Sequence, residues 1–138
     1  MGESNLSLLR FKKRDPKEVG IAIEAYIKQI TTCTEPLAIY LFGSLARGEG
    51  SIESDIDLLI IYSHQAEARA AQKTILREPS PYPIPADLIC IDRDSWDGIH
   101  RYSHLVDLVK EEGKLVFASS DWLAERSGLN ESPQRTDL

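Results

Sequence analysis

The sequence has little of what marks secreted, membrane or nucleic-acid-binding proteins. It contains two cysteines in 138 residues, without CxxC spacing or a signal-like start, so Cys33 and Cys90 are expected to be reduced packing residues. No apolar run approaches the ~20 residues needed to cross a bilayer. A net charge of -6 argues against a general nucleic-acid surface, because binding phosphates requires clustered Lys and Arg. These absences predict a cytoplasmic protein without membrane contact.

Segments with helical and strand character alternate along the chain, whose length fits one domain. A first amphipathic helix is predicted with Asp15 as its N-cap and Pro16 at its first position. Further helices are expected over 64–78 and over 92–112, the latter ending at Gly113 as a left-handed C-cap. Apolar runs of strand length occupy 37–42, 55–62, 86–91 and 114–118. This order predicts an α/β or α+β domain, with helices packed on a small mixed sheet of about four strands.

The two ends of the chain differ from its middle. Residues 1–14 are expected to form a flexible N-terminal segment, 15–118 the folded domain, and 119–138 a loosely ordered polar C-terminal tail. Trp122 interrupts that tail, and two interpretations stay open for it: an anchor for a partner protein, or part of an unstructured segment.

Two aspartates stand on one side of an otherwise apolar predicted strand. Asp55 and Asp57 are separated by one residue, and because side chains alternate along a strand, both carboxylates face the same way. Such a pair repels and needs positive charge, which Arg47 supplies in part and a divalent cation would supply more fully. The spacing alone also fits a solvated strand end, so it indicates a metal site only together with its surroundings.

The residues upstream strengthen that indication. Gly43 and Ser44 follow the predicted buried strand, where a glycine permits close approach of a ligand and a serine offers a hydroxyl and an N–H at the start of a short helical turn. This arrangement favours an anion such as a triphosphate. Ten residues separate Ser44 from Asp55, enough for the chain to turn and return in a neighbouring strand. A phosphate-binding turn and two carboxylates are therefore predicted to meet at one end of the sheet.

This pattern resembles the signature of the nucleotidyltransferase superfamily related to DNA polymerase β. The resemblance lies in Gly43-Ser44 and Asp55-x-Asp57 within "FGSLARGEGSIESDIDLLI", and the order of elements and the ending "VKEEGKLVFA" extend it over roughly 15–118. Within the superfamily the chain is most similar to the minimal nucleotidyltransferases, small proteins often paired as antitoxins with an all-helical HEPN partner. The resemblance implies that 15–118 is a nucleotidyltransferase domain with the polymerase β-like fold.

The resemblance also implies roles for the residues of the motif. Gly43 and Ser44 match the turn that contacts the nucleotide phosphates. Asp55 and Asp57 match paired ligands of two magnesium ions.

The family's third carboxylate lies on a later strand. Asp87 in "PADLICID" is the matching residue, and Asp92 is the weaker alternative. With Asp87 as the third metal ligand and a candidate base, the resemblance implies two-metal nucleotidyl transfer. Relatives that keep only the first pair of carboxylates bind nucleotide without catalysis.

Together these matches imply a magnesium-dependent enzyme that moves AMP from ATP to a hydroxyl. The acceptor implied by the resemblance is a tyrosine of a cognate HEPN toxin, which makes this chain an antitoxin that acts by protein AMPylation within a hetero-oligomer. Two alternatives stay open: a non-catalytic, nucleotide-binding antitoxin that acts by complex formation, and a nucleotidyltransferase for an aminoglycoside-like small molecule.

Two further features have competing interpretations. Arg47 is counted among the nucleotide-binding residues, but it is equally suited to hold its own loop through a carboxylate. His100 and His104 stand four apart on a predicted helix, a spacing that can bind zinc. Because no third ligand accompanies them, an exposed helix face is the preferred interpretation.

Overall fold

A computed structural model of the chain describes residues 14–51, 54–98 and 103–126. The helices are α1 (Pro16–Cys33), α2 (Gln65–Arg77), α3 (Arg93–Trp96), α4 (Ser103–Glu112) and α5 (120–126), and the strands are β1 (Ala38–Phe42), β2 (Ile56–Tyr62), β3 (Ala86–Asp92) and β4 (Lys114–Ala118). In this part of the chain, no helix combines the length and the apolar character that crossing a membrane requires.

The four strands form one mixed sheet in the order β3-β2-β1-β4. Strand β1 runs antiparallel to both β2 and β4, whereas β2 and β3 are parallel and are joined by α2. A parallel pair needs such a crossover, because a tight hairpin can join only antiparallel strands. The predicted α/β domain with a small mixed sheet is confirmed.

Helices cover both faces of the sheet. Residues Ile56, Leu58 and Ile60 of β2 pack with α1 and α2 on one face, in a cluster that also contains Ala22, Tyr26, Ile30, Ala68, Ala71 and Ile75. Leu59 and Ile61 face the other side, where the cluster includes Trp96, Val106, Val109 and Trp122. Burial on both faces explains why β2 reads as a nearly continuous apolar run.

The start of α1 forms as its sequence predicts. The Asp15 carboxylate accepts a hydrogen bond of 3.0 Å from the Lys17 N–H, and Pro16 occupies the first helical turn, where its missing N–H costs nothing. Strand β1 follows this helix and leads directly to the candidate site. The capped helix forms one side of the core on which that strand packs.

The predicted helix over 92–112 is wrong in its middle. Helix α3 ends at Trp96, and a turn at 97–98 follows, in which Gly98 has φ +87°. The apolar spacing suggested one helix, but the apolar residues belong to two. Trp96 from α3 and Val106 and Val109 from α4 are buried against the same face of the sheet. Ile99 lies outside the described residues.

Gly113 ends α4 for a different reason from the one predicted. Its φ is not positive, so it is no left-handed cap. A Cβ at this position would lie 2.5 Å from the Val109 carbonyl oxygen and 3.3 Å from that of Leu41. Glycine is therefore required mainly by the close approach of the chain to Val109 in α4, and secondarily by its packing against Leu41 of β1.

The two cysteines are free, as expected, but only one is packed. Cys33 is exposed, which contradicts the packing role predicted for it. Cys90 is partly covered, and burial raises the pKa of its thiol to about 12. A thiol in this state is a poor nucleophile near neutral pH.

The fold continues beyond residue 118, where the sequence predicted a loosely ordered tail. Residues 120–126 are helical, and the Trp122 indole is 1% exposed, 6.0 Å from the Trp96 ring in an edge-on arrangement. The Arg126 guanidinium covers the same indole at 3.9 Å. Both interpretations of Trp122 are therefore wrong, because its side chain belongs to the core. Residues 1–13 and 127–138 lie outside the described part of the chain.

Replacing Trp122 tests whether α5 is an integral part of the fold. We expect Trp122→Ala to lower the free energy of unfolding by about 3–5 kcal/mol, the usual cost of removing a buried aromatic side chain. Leu123→Ala, at a neighbouring side chain that is 51% exposed, should change it by no more than about 0.5 kcal/mol. Equal effects of the two variants in urea denaturation would contradict this placement of α5.

Candidate active site

Three aspartates lie at the same end of β2 and β3. Asp57 is the second residue of β2, and its register partners are Phe42 on β1 and Asp87 on β3. Asp55 directly precedes β2, whose first residue is Ile56. Since residues two apart point to the same side of an extended chain, Asp55, Asp57 and Asp87 share one side of the sheet. The structure thus brings together the carboxylates that were predicted from two separate segments.

Gly43 brings the backbone into contact with the central carboxylate. This residue follows β1 with φ +81°, a conformation that favours glycine. A Cβ placed on it would collide with Oδ2 of Asp57 and lie 3.2 Å from its Cγ. The side chain of Asp57 therefore rests against the Cα of Gly43, so that the predicted phosphate-binding turn and the predicted metal ligand are adjacent.

The chain after Gly43 forms a compact turn over 44–48. The Gly43 carbonyl accepts from the N–H groups of Ala46 and Arg47 at 3.1 and 3.3 Å, and Glu49 N–H donates to the Ser44 carbonyl at 2.9 Å. No acceptor within 14–51, 54–98 or 103–126 engages the N–H groups of Ser44 and Leu45. These two donors lie immediately beyond Gly43, where they can bind an anion.

Ser54 joins this turn to the start of β2. Its hydroxyl accepts hydrogen bonds from the Ser51 N–H at 3.0 Å and, at 3.4 Å, from the Ser44 hydroxyl, and its carbonyl accepts from the Arg14 guanidinium at 3.0 Å. Sequence reasoning missed this residue, although its position next to Asp55 was a signal that could have identified it.

The electrostatics of the site centre on Asp57. Its pKa is raised above the ordinary value, first by burial and then by the negative charges of Asp87 and Asp55. No Lys, Arg or His in the described ranges forms an ion pair with any of the three carboxylates. The group therefore favours the binding of a cation.

Arg47 does not supply this charge. Its guanidinium donates to Glu49 and to Glu112 at the end of α4, both at 2.9 Å. These bonds raise the pKa of Arg47 further. The structure shows the loop-holding arrangement that was one of its two interpretations, and its contact with a nucleotide remains a prediction. Glu112 was missed because nothing in the sequence relates it to a loop 65 positions away.

The residues fit a magnesium–nucleotide complex better than a metal held by protein alone. Within the described residues, no group of three or more His, Cys, Asp or Glu side chains is assembled into a metal-binding cluster. Magnesium usually binds one or two protein carboxylates and completes its coordination with water and substrate phosphates. Asp55 and Asp57 beside the free N–H groups of the 44–48 turn match that division between protein and substrate ligands.

The weaker sequence candidates lie elsewhere. Asp92 pairs with Tyr62 at the opposite end of β3 from Asp87, and its carboxylate accepts a 2.5 Å hydrogen bond from Ser95. It is therefore not part of this site. His104 is exposed on α4, and His100 lies outside the described residues.

A known protein family matches most of the chain. The family model described as "Polymerase beta, Nucleotidyltransferase" matches residues 24–120. The chain therefore belongs to the polymerase β nucleotidyltransferase family, as the motif resemblance predicted, and its class of activity is nucleotidyl transfer. No curated protein matches the chain.

Several solved structures are similar to it at low sequence identity. A toxin–antitoxin with AMP-PNP is 19% identical with a TM-score of 0.48, and a mutant of the toxin–antitoxin MntA-HpeT is 20% identical with a TM-score of 0.49; each comparison covers 83% of this chain and 95% of the other. A nucleotidyltransferase from Sulfolobus solfataricus, described as putative, is 17% identical with a TM-score of 0.47, over 76% and 90% of the two chains. Likeness at this level supports no functional conclusion by itself.

Substitution of Gly43 separates backbone strain from damage to the site. Gly43→Ala and Gly48→Ala both place a side chain at positive φ, +81° and +73°, and each should cost about 1–3 kcal/mol of stability. Only Gly43→Ala also displaces the Asp57 carboxylate, because nothing lies within 4 Å of a Cβ at Gly48. We expect Mg-ATP binding, measured by calorimetry, to be lost in Gly43→Ala and kept in Gly48→Ala. Equal binding by both variants would contradict this contact.

Removing the central charge should stabilise the metal-free fold. Since folding raises the pKa of Asp57 above 3.8, the folded state holds a proton that the unfolded chain releases, and stability is lost as pH rises from 3.8 through the raised pKa. Asp57→Asn avoids this loss, so its Tm without magnesium should exceed the wild-type value by a few degrees at pH 7. The difference should shrink as pH falls toward 4. Asp107→Asn, at an exposed position on α4, is the matched control and should show no such trend.

Proposed function

We propose that this chain is a magnesium-dependent nucleotidyltransferase that moves AMP from ATP to a hydroxyl group of a partner protein. The observation that carries the proposal is the packing of the Asp57 carboxylate against Gly43, with Asp87 as the register neighbour of Asp57. This contact brings a phosphate-binding backbone and the carboxylates to one place, as the transfer of a phosphorylated group requires.

The nucleotide side of the site is the turn after β1. The free N–H groups of Ser44 and Leu45 can donate to phosphate oxygens. Asp55 and Asp57 would hold magnesium, which when bound offsets the charge of the triphosphate and stabilises the in-line displacement. Gly43 admits the phosphates close to the backbone because it has no side chain.

Asp87 lies on the acceptor side. It is exposed at the beginning of the outer strand β3, where a hydroxyl of the acceptor protein can reach it. In the proposed step the acceptor oxygen forms a bond to the α-phosphorus, the bond from that phosphorus to the bridging oxygen breaks, and pyrophosphate leaves. The Asp87 carboxylate takes the hydroxyl proton as general base.

The partner is proposed to be a HEPN-type toxin, with a tyrosine as the acceptor and this chain as its antitoxin. The resemblance of the motif to minimal nucleotidyltransferases supports this narrower proposal. The described residues support it too, because they form a single four-stranded sheet with its helices and no further layer. Within the described residues, no separate domain is present that would bind a small-molecule acceptor.

Transfer of labelled nucleotide tests the proposal directly. The protein is incubated with α-labelled ATP, magnesium and the product of the neighbouring gene, which the proposal expects to be a HEPN-type protein that becomes labelled. Asp57→Asn should abolish both ATP binding and transfer. Asp87→Asn should keep ATP binding but reduce transfer by about 10²–10⁴-fold, the range typical of a lost general base.

The controls distinguish the alternatives. Asp107→Asn should transfer at the wild-type rate. A tight complex without label would replace the proposal with a non-catalytic antitoxin, and label on an aminoglycoside in place of the protein would indicate a small-molecule acceptor. Equal loss of ATP binding in Asp87→Asn and Asp57→Asn would contradict the division of roles between the two residues.

A further inference from the structure

Strand β3 forms the outer edge of the sheet, and part of that edge is already occupied. The Gln72 side chain of α2 donates to the Leu88 carbonyl at 2.8 Å and accepts from the Cys90 N–H at 2.9 Å. One side-chain amide thus makes the two hydrogen bonds that a neighbouring strand would make on either side of Ile89. Covering an edge in this way prevents unwanted strand pairing.

The part of this edge next to Asp87 is not covered by Gln72. Successive residues of a strand direct their backbone groups to opposite edges, and the Pro85 carbonyl accepts from Ile56 on β2. Ala86 and Leu88 therefore direct theirs outward, as the Gln72 bond to Leu88 shows. Within the described ranges, the Ala86 carbonyl and the Leu88 N–H have no hydrogen-bond partner. These two groups lie on either side of Asp87.

A groove of about 330 Å³ adjoins this open edge. Its lining includes Asp87, Pro85 and Leu88 from the strand and its approach, and Ile75 and Leu76 from α2. Tyr26 also lines the groove, and its hydroxyl is already hydrogen-bonded to Ser80 and to the Ile84 carbonyl, both at 2.7 Å. Gln29, Glu78 and Ser80 also line the groove, so its apolar part is the side formed by Ile75, Leu76 and Leu88. That side suits an apolar side chain.

We propose that a short extended segment of the acceptor protein pairs with this open edge, in register with Asp87. This inference rests on the proposed function. The added residue would bond the Ala86 carbonyl and the Leu88 N–H, as Gln72 bonds the next pair, and directly opposite residues of paired strands place their side chains on the same face with Cβ atoms about 4.5–5.5 Å apart. A hydroxyl-bearing residue in this register thus lies beside the Asp87 carboxylate.

The flanking contacts limit what can bind. A residue adjacent to the acceptor points to the opposite face, where the groove takes an apolar side chain against Leu76, which is 73% exposed. Gln72 ends the available edge after one residue pair, so the segment is short. Backbone pairing of this kind recognises a polypeptide and gives no advantage to a small-molecule acceptor.

Amide exchange measured by NMR tests the pairing at the backbone. On addition of the partner protein used in the transfer experiment, the Leu88 N–H should exchange at least about tenfold more slowly, because a free edge amide becomes hydrogen-bonded. The Ile89 N–H, which faces β2, should not change and serves as the internal reference. An unchanged Leu88 amide in the complex, or no complex at all, overturns the proposal.

Leu76→Glu tests the groove without disturbing the core. It should raise the Kd for the same partner by about tenfold or more, equal to about 1.4 kcal/mol, and leave ATP binding unchanged. Leu123→Glu, at a comparably exposed leucine on α5, should bind as the wild type does; equal weakening by both variants contradicts the groove. Transfer of labelled nucleotide without protection of the Leu88 amide from exchange would contradict the docking site alone. Protection of this amide without nucleotide transfer would contradict only the proposed activity.

Discussion

The candidate site depends on one contact, the Asp57 carboxylate against the Cα of Gly43. This contact requires glycine twice, for space and for the positive φ that turns the chain after β1. It joins the strand that carries the carboxylates to the turn with free N–H groups, so the negative and the anion-binding halves of the site lie side by side. Any side chain at Gly43 would separate them.

The rest of the fold holds these halves in place. Strand β2 is buried on both faces, by α1 and α2 on one side and by α3, α4 and α5 on the other. Apolar burial of this extent strongly fixes the register of a strand, because a shift by one residue would turn Asp57 into the core. The carboxylates can therefore remain close to one another despite their repulsion, which adds to burial in raising the pKa of Asp57.

What the sequence predicted well was local, and what it missed was distant along the chain. Gly43-Ser44 and Asp55-x-Asp57 lie within fifteen residues, and strand alternation alone places the two carboxylates on one side. The place of Asp87 beside Asp57 followed from family resemblance, and the parallel register now supplies its physical reason. No local pattern indicates that Arg47 pairs with Glu112, or that Gln72 covers the edge of β3. The prediction for Trp122 was wrong because its neighbours in the sequence are polar and indicate an exposed tail. The side chain is buried only when the sheet has folded.

In the proposed reaction, the arrangement of the sheet would also separate the two substrates. The turn that would receive the nucleotide follows β1, in the interior of the sheet, and is tied to α4 by the Arg47–Glu112 ion pair. Asp87 lies on the outer strand, one position from backbone groups that no described residue engages. Under the proposed function, a nucleotide would bind at a fixed interior turn while an acceptor approaches from the open edge. Asp57, paired to β1 on one side and to Asp87 on the other, is the residue at which the two meet.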